Sequence, residues 1–436
     1  MSPKHSLSLV VFLSLLFLGN LLIAQAGANA PSFIYGDPLP DAPELAPRGE
    51  YQVGVRTLEL VHPGQLDIAK GEDGKIPSYD RPLTLEVWYP AIIPDGKVAL
   101  TEYTDMLGRP NNEERPLTPF TFSGRALRDA EPDRGDQPFP LVIVSHGYPG
   151  SRYLMTYLTE NLASKGYVVV AIDHTESTHQ DAGPFTSTLM NRSLDILFVL
   201  NEMARLGEKN SDSFLAGGLD ANNTGIIGYS MGGYGVLNVA GAGYSEQLAT
   251  IFNQMTGGST AIQSRTTGAP ALVAAPDERI KAVVAFAPWG MARGAWDEAG
   301  LAGLRIPTFF VAGDQDDVSG YEDGIKAIYD GAVNTERYML TYVNARHNVA
   351  PNPPPAVVMN SKKYYNDFMH YAEPAWDQRR INNINQHFVT AFLGVRLKGL
   401  DYGQYLELPE QSNAEIWEGF KPRTSVGLEL RKGEKQ

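Results

Sequence analysis

The 436-residue chain contains no cysteine. That absence excludes disulfides and thiolate metal sites, so stability has to come from packing. Positive charge is also scarce, with 36 Lys and Arg against 50 Asp and Glu, a formal net charge of −14. A surface of that sign repels nucleic acid and anionic membranes, and neither is expected as a partner. Internal repeats and low-complexity tracts are missing too. A long apolar run occurs only near the start, where Lys4 and His5 precede residues 7–23 and two small-x-small sites, Ala24-Gln25-Ala26 and Ala28-Asn29-Ala30, follow. This reads as a secretory signal peptide over residues 1–30. Ser14, Gly19 and Asn20 break the run below the ~20 residues of a comfortable span, which argues against stable membrane insertion after cleavage. Cleavage near Pro31 removes Lys4 and no acid, taking the charge from −14 to −15. The expected location is periplasmic or extracellular.

What is present is an ordinary globular composition, 43% hydrophobic and 20% charged. Residues 31–50 are rich in proline and acids without hydrophobic period and read as an extended lead-in, with order expected from about Tyr51. Eight segments then read as strands: 51–60, 82–90, 140–147, 166–173, 224–230, 281–288, 307–314 and 337–344. The first two alternate, and the later ones are continuous apolar runs, as in strands buried on both faces. Helical stretches fall at 151–164, about 188–206, 231–241, about 321–331 and 381–397. Strands alternating with helices predict an α/β fold, a mostly parallel eight-stranded sheet with helices on both faces. Three segments fit this pattern poorly, 92–138, 242–276 and 348–380, and read as lid-like insertions in a single catalytic domain over 51–436.

Gly228-Tyr229-Ser230-Met231-Gly232 closes the apolar run of the fifth strand, and a glycine-rich helix follows at once. Small residues at 228 and 232 allow the sharp strand-to-helix turn that exposes a serine nucleophile, and the helix dipole favours the negative charge of acyl transfer. A serine hydroxyl needs a base, and the base needs an orienting acid, in chain order Ser, Asp or Glu, His. Downstream of Ser230 lie His347, His370 and His387. His347 follows the last predicted strand and is the expected base; His370 falls in an insertion and His387 in the final helix. Asp314, Asp316 and Asp317 follow the preceding strand, with Asp316 preferred and Asp317 the alternative. The oxyanion should meet the N–H groups of Met231, next to the nucleophile, and Tyr148, in the loop after the third strand. His146 is read as packed beneath that loop. Asp173, His174, Glu176, His179 and Asp181 crowd the loop after the fourth strand, read first as a hydrogen-bonded pocket wall, next as direct substrate contacts and least as a metal site; no metal and no cofactor is expected.

The span from residue 51 to the final helix resembles the α/β-hydrolase superfamily, on "SHGYPGSRYLMTYLTENLASKGYVVVAIDHTEST" and "GYSMGGYG". The likeness is greatest to its branch of predicted dienelactone hydrolases and platelet-activating-factor-acetylhydrolase-like esterases. The catalytic core is similar to the cutinase-type polyester hydrolases in Gly147-Tyr148, "SMGG" and "APW" at 287–289. That resemblance implies an acid nine residues beyond Pro307, at Asp316, and an acyl group flanked by Trp289 and Tyr148. Dienelactone hydrolases proper use a cysteine, so that name would describe ancestry here. Together these readings predict an exported serine carboxylesterase acting on a small-molecule or polymeric ester. The alternatives are a narrower lipid or polyester hydrolase, a non-catalytic binding protein with this fold, and a metal-dependent hydrolase centred on 173–181.

Overall fold

The computed structural model describes residues 33–72, 75–269, 276–360 and 362–436. The segment read as a signal peptide, 1–30, lies outside the described residues, and Tyr35–Gln436 form one compact unit.

All eight expected strands are present, but the main sheet has eleven strands and is mixed. In chain order they are β1 (Gln52–Leu66), β2 (Ser78–Ile92), a separate hairpin of β3 (Thr101–Leu107) and β4 (Thr118–Gly124), the short β5 (Leu127–Arg128) and β6 (Glu131–Pro132), then β7 (Phe139–Ser145), β8 (Val168–Asp173), β9 (Leu219–Tyr229), β10 (Ile280–Phe286), β11 (Thr308–Gly313), β12 (Arg337–Tyr342) and β13 (Leu428–Gly433). The sheet runs β13-β12-β11-β10-β9-β7-β8-β2-β1-β5, with β6 beside β2. The six strands from β8 to β12 are mutually parallel, while β2 is antiparallel to β8, β1 to β2, and β13 to β12. The parallel strands are the continuous apolar runs, and β7, β11 and β12 are buried at every position. The expectation of eight strands fails on β13, whose charged sequence LELRKG suits an exposed edge, and on the short β5 and β6.

The helices are α1 (Thr156–Ser164), α2 (Phe185–Gly207), α3 (Met231–Val239), α4 (Glu246–Met255), α5 (Glu298–Leu301), α6 (Lys326–Gly331), α7 (Tyr365–Phe368) and α8 (Gln378–Lys398). The step from β7 to β8 runs one way along the sheet, and the steps from β8 to β9 and β9 to β10 run the other. Right-handed crossovers therefore put α1 on one face and α2 and α3 on the opposite one. α1 packs with α8, and α2 with α3.

The insertions are partly ordered. Segment 92–138 carries the β3–β4 hairpin, and 242–276 carries α4, capped at Ser245. The lead-in is not extended as expected but a series of turns, with the N–H groups of Ala42 and Ala46 donating to the carbonyls of Leu39 and Pro43, and order begins well before Tyr51. Side chains of α1 and α8 pair with its backbone. The Leu39 N–H donates to Asn383 Oδ1 at 2.8 Å, the Leu45 N–H to His387 Nδ1 at 3.2 Å, and Asn161 Nδ2 to the Ala46 carbonyl at 2.8 Å.

Candidate active site

Four loops at the carboxyl edge of the parallel strands meet: those after β7, β9, β11 and β12. In an open α/β sheet this is the edge where ligands bind.

Ser230 stands between β9 and α3 with φ 53° and ψ −113°, a backbone conformation that a non-glycine residue rarely takes. Three hydrogen bonds hold it. Its N–H donates to the Phe286 carbonyl at 2.9 Å, and its carbonyl accepts from the N–H groups of Tyr234 at 3.0 Å and Trp289 at 3.1 Å. The flanking glycines are required by contact. A Cβ at Gly228 would stand 2.1 Å from the Gly232 carbonyl oxygen, and one at Gly232 would stand 1.9 Å from that of Ser145.

His347 reaches Ser230 from the loop after β12. Its Nε2 lies 3.0 Å from Ser230 Oγ, and its Nδ1 lies 2.8 Å from Asp316 Oδ2. Asp316, 5% exposed, is itself fixed: its other oxygen accepts from the N–H groups of Val318 at 2.9 Å and Ser319 at 2.8 Å. The two neighbouring acids face elsewhere. Asp314 accepts from the Asn344 N–H at 2.7 Å, and Asp317 pairs with Arg346 at the surface. The structure thus brings Ser230, His347 and Asp316 into one hydrogen-bonded line, in which a carboxylate fixes the imidazole tautomer and the imidazole can accept the serine proton.

Met231 opens α3, so its N–H has no acceptor within the helix. Gly147 and Tyr148 approach from the loop after β7; a Cβ on Gly147 would lie 3.4 Å from Ser230 Cβ. His146 is buried beneath that loop, its Nδ1 2.6 Å from the Gly147 carbonyl.

A cavity of about 200 Å³ opens on Ser230 and His347, walled by Tyr148, Tyr229, Asp317, Arg346 and the insertion residues Met369, His370, Ala372 and Glu373. Trp289 does not line this cavity. The Phe185 ring stands between, with centroids 5.4 Å from Tyr148 and 5.1 Å from Trp289, both edge to face. Sequence reasoning missed Phe185, whose helix begins three residues earlier than expected. Glu373 and Asn348 were missed as well. Glu373 accepts from the N–H groups of Arg346 at 2.7 Å and Asn348 at 2.6 Å, the two neighbours of His347. Asn348 accepts from Tyr229 OH at 3.1 Å and donates to the carbonyls of Met369 and Ala372. No short motif announces these contacts, because they join segments far apart in the chain.

The acidic and histidine-rich loop at 173–181 is bonded internally. Asp173 pairs with Arg152, and Asp181 accepts from the N–H groups of Glu176 at 2.7 Å and Thr178 at 3.0 Å. His174, 1% exposed, bridges Ser145 Oγ and Asp195 Oδ2 at 2.9 Å each. Burial pushes His174 down to about 3, so it is neutral at physiological pH. Among the described residues no group of three or more His, Cys, Asp or Glu is placed to hold a metal ion. None of the described helices is long and apolar enough to cross a membrane.

Comparison with known proteins places this geometry in context. Residues 131–256 match a family described as PET hydrolase-like. That segment includes Tyr148, Ser230 and Met231 and ends before Asp316 and His347. The chain is similar to cutinase est1 of Thermobifida alba, 24% identical over 220 residues covering 50% of this chain and 56% of that one. It is also similar to the bis(hydroxyethyl) terephthalate hydrolase of Streptomyces coelicolor, 25% identical over 218 residues covering 50% and 53%. The chain thus spans little more than half the length of these relatives. A ferulic acid esterase from Streptomyces cinnamoneus shares the fold, with TM-score 0.53 and 20% identity, over 82% of this chain and 94% of that one. The fold is that of the α/β hydrolases.

Proposed function

We propose that the protein is an exported serine hydrolase of carboxylic esters working through an acyl-enzyme. The observation that carries this reading is the line of hydrogen bonds from Ser230 Oγ through His347 to Asp316, at 3.0 and 2.8 Å. Ser230 Oγ attacks the ester carbonyl while His347 Nε2 takes its proton. The tetrahedral oxyanion is held by the N–H groups of Tyr148 and Met231. Collapse expels the alcohol, which leaves with the proton from His347. Water then attacks the acyl-enzyme by the same path in reverse, releasing the acid and restoring Ser230.

The cutinase and terephthalate-ester relatives support the ester as the bond cleaved. The insertion over residues 348–380 walls the cavity on one side and favours a small ester over a chain laid in an open groove. The ring series Tyr148, Phe185 and Trp289 supports a second reading, an aromatic or polyester substrate. Hydrolysis of p-nitrophenyl acetate, butyrate, octanoate and palmitate by the mature protein beside Ser230→Ala tests the first. Loss of turnover in the variant supports the nucleophile, and the chain-length optimum sizes the acyl site. Retained turnover overturns the reading. Release of terephthalate-type products from a polyester film tests the second. Export is tested by N-terminal sequencing of protein recovered outside the cytoplasm, which should begin near Pro31.

A further inference from the structure

The oxyanion loop is held from behind by a charge. Arg192, on α2, is 1% exposed, and its side chain runs between α2 and α3 toward the loop after β7. Its passage depends on Gly235, where a Cβ would stand 2.5 Å from Arg192 Cγ. Arg192 Nη1 donates to the His146 carbonyl at 2.5 Å and to Ser145 Oγ at 3.4 Å. Its Nη2 donates to the Gly147 carbonyl at 3.4 Å and to Ser177 Oγ. The Gly147 oxygen has a second donor, His146 Nδ1, whose tautomer is set because Nε2 accepts from the His174 N–H at 3.3 Å. Burial pulls Arg192 down to about 9, against the attraction of Asp195, so it keeps its charge at neutral pH.

The carbonyl of Gly147 and the N–H of Tyr148 belong to one trans peptide and point in opposite directions. Fixing the oxygen on the buried side therefore aims the N–H at the side where Ser230 stands. We propose that Arg192 is a positioning residue for ester hydrolysis: by binding the carbonyls of His146 and Gly147 it orients the Tyr148 N–H and puts a buried positive charge behind the developing oxyanion. This rests on the serine-hydrolase reading, and it assigns a role to a residue that never touches substrate. The aim of the N–H matters only when the oxyanion forms, so the effect falls on the transition state and not on substrate binding.

The test compares Arg192→Lys and Ser177→Ala with the unaltered enzyme and with Ser230→Ala, each checked for folding by near-UV circular dichroism. Measured are kcat, KM and the inhibition constant of an alkyl boronic acid, whose serine adduct is tetrahedral and anionic. Arg192→Lys should lose on the order of 10²-fold in kcat, as expected for an impaired oxyanion donor, with KM within about threefold. Boronate affinity should weaken in step. Ser177→Ala, which frees Nη2 without removing the charge, should move kcat and boronate affinity the same way by a smaller factor, and it decides the question if Arg192→Lys does not fold. Folded variants with kcat and boronate affinity within about twofold of the unaltered enzyme overturn the proposal, as does a loss carried by KM alone. Wild-type turnover in Ser230→Ala overturns the serine reading instead, so the two failures are distinguishable.

Discussion

Asp314, Asp316 and Asp317 lie within four positions of one another, yet each has a different neighbour. Asp314 closes a turn on the Asn344 N–H, Asp317 faces Arg346 at the surface, and Asp316 alone is turned inward to His347 Nδ1. The glycine-flanked strand-to-helix turn singled out Ser230 in the sequence, and the place after the last strand singled out His347. The sequence could only rank the three acids, because which one points inward depends on the turn that Asp316 itself caps through Val318 and Ser319. Asp316→Asn should lower kcat by about 10⁴-fold, since the imidazole loses the partner that fixes its tautomer. Asp317→Asn should stay within a few-fold, because it gives up an exposed ion pair of little net worth. Parallel kinetics on the two variants check the assignment, and a larger loss in Asp317→Asn would reverse it.

At the scale of elements, what could be read was whatever periodicity carries. The buried parallel strands stand out as apolar runs, and the helices between them by their spacing. The β3–β4 hairpin is masked in the sequence although β3 alternates buried and exposed, because proline and charge dominate the segment around it. β13 has too few apolar residues to announce itself, and Glu373 and Asn348 become meaningful only when the 348–380 insertion folds onto the His347 loop. That contact gives the insertion a second task besides walling the cavity. Glu373→Gln puts an amide NH₂ against one of two backbone N–H groups and leaves that donor without an acceptor. It should cost about 1–3 kcal/mol and lower kcat by roughly tenfold, as the loop on either side of His347 loosens. Urea unfolding together with kinetics reads both effects, and an unchanged kcat would show that the loop holds its shape without the clamp. The lead-in offers a similar test away from the cavity. Arg48 Nη2 lies 3.1 Å from Glu160, whose side chain is fully buried. Burial raises the Glu160 pKa, and Arg48 is the first of the groups opposing that rise. Arg48→Met should therefore destabilise the fold by on the order of 3 kcal/mol without changing KM, measured as a shifted urea midpoint.

Over the whole molecule the unusual feature is the number of histidines buried in neutral form. Burial lowers His174 and His387 to about 3 and His179 to about 4, and it holds His146 well below its ordinary value. In the unfolded chain each would titrate near 6.5. Between 6.5 and these low folded values the unfolded state binds more protons, so stability is full above 6.5 and falls as pH drops through that window. Each histidine can contribute up to about 1.4 kcal/mol per pH unit. Two effects oppose the trend. Burial raises Asp105 from an ordinary 3.8 to about 6 and raises Glu160, Asp173 and Glu373 as well, so these carboxyls bind their protons more tightly when folded. The surplus of acids over bases also repels itself less as carboxylates protonate. The four histidines act from their ordinary 6.5 downward, Asp105 opposes only below about 6, and the acidic surface is screened by salt, so the histidines should dominate. Unfolding free energy is expected to fall by several kcal/mol between about pH 7.5 and pH 5, with net proton uptake on unfolding at the lower pH. Urea titrations at the two pH values, with calorimetry in buffers of different ionisation enthalpy, measure both quantities. Equal stability at the two pH values would mean that these histidines are charged or hydrated in the native state. Their burial would then no longer account for the acid limit of the fold, and the neutral His174 and His146 bracing the loop after β7 would have to be reconsidered with it.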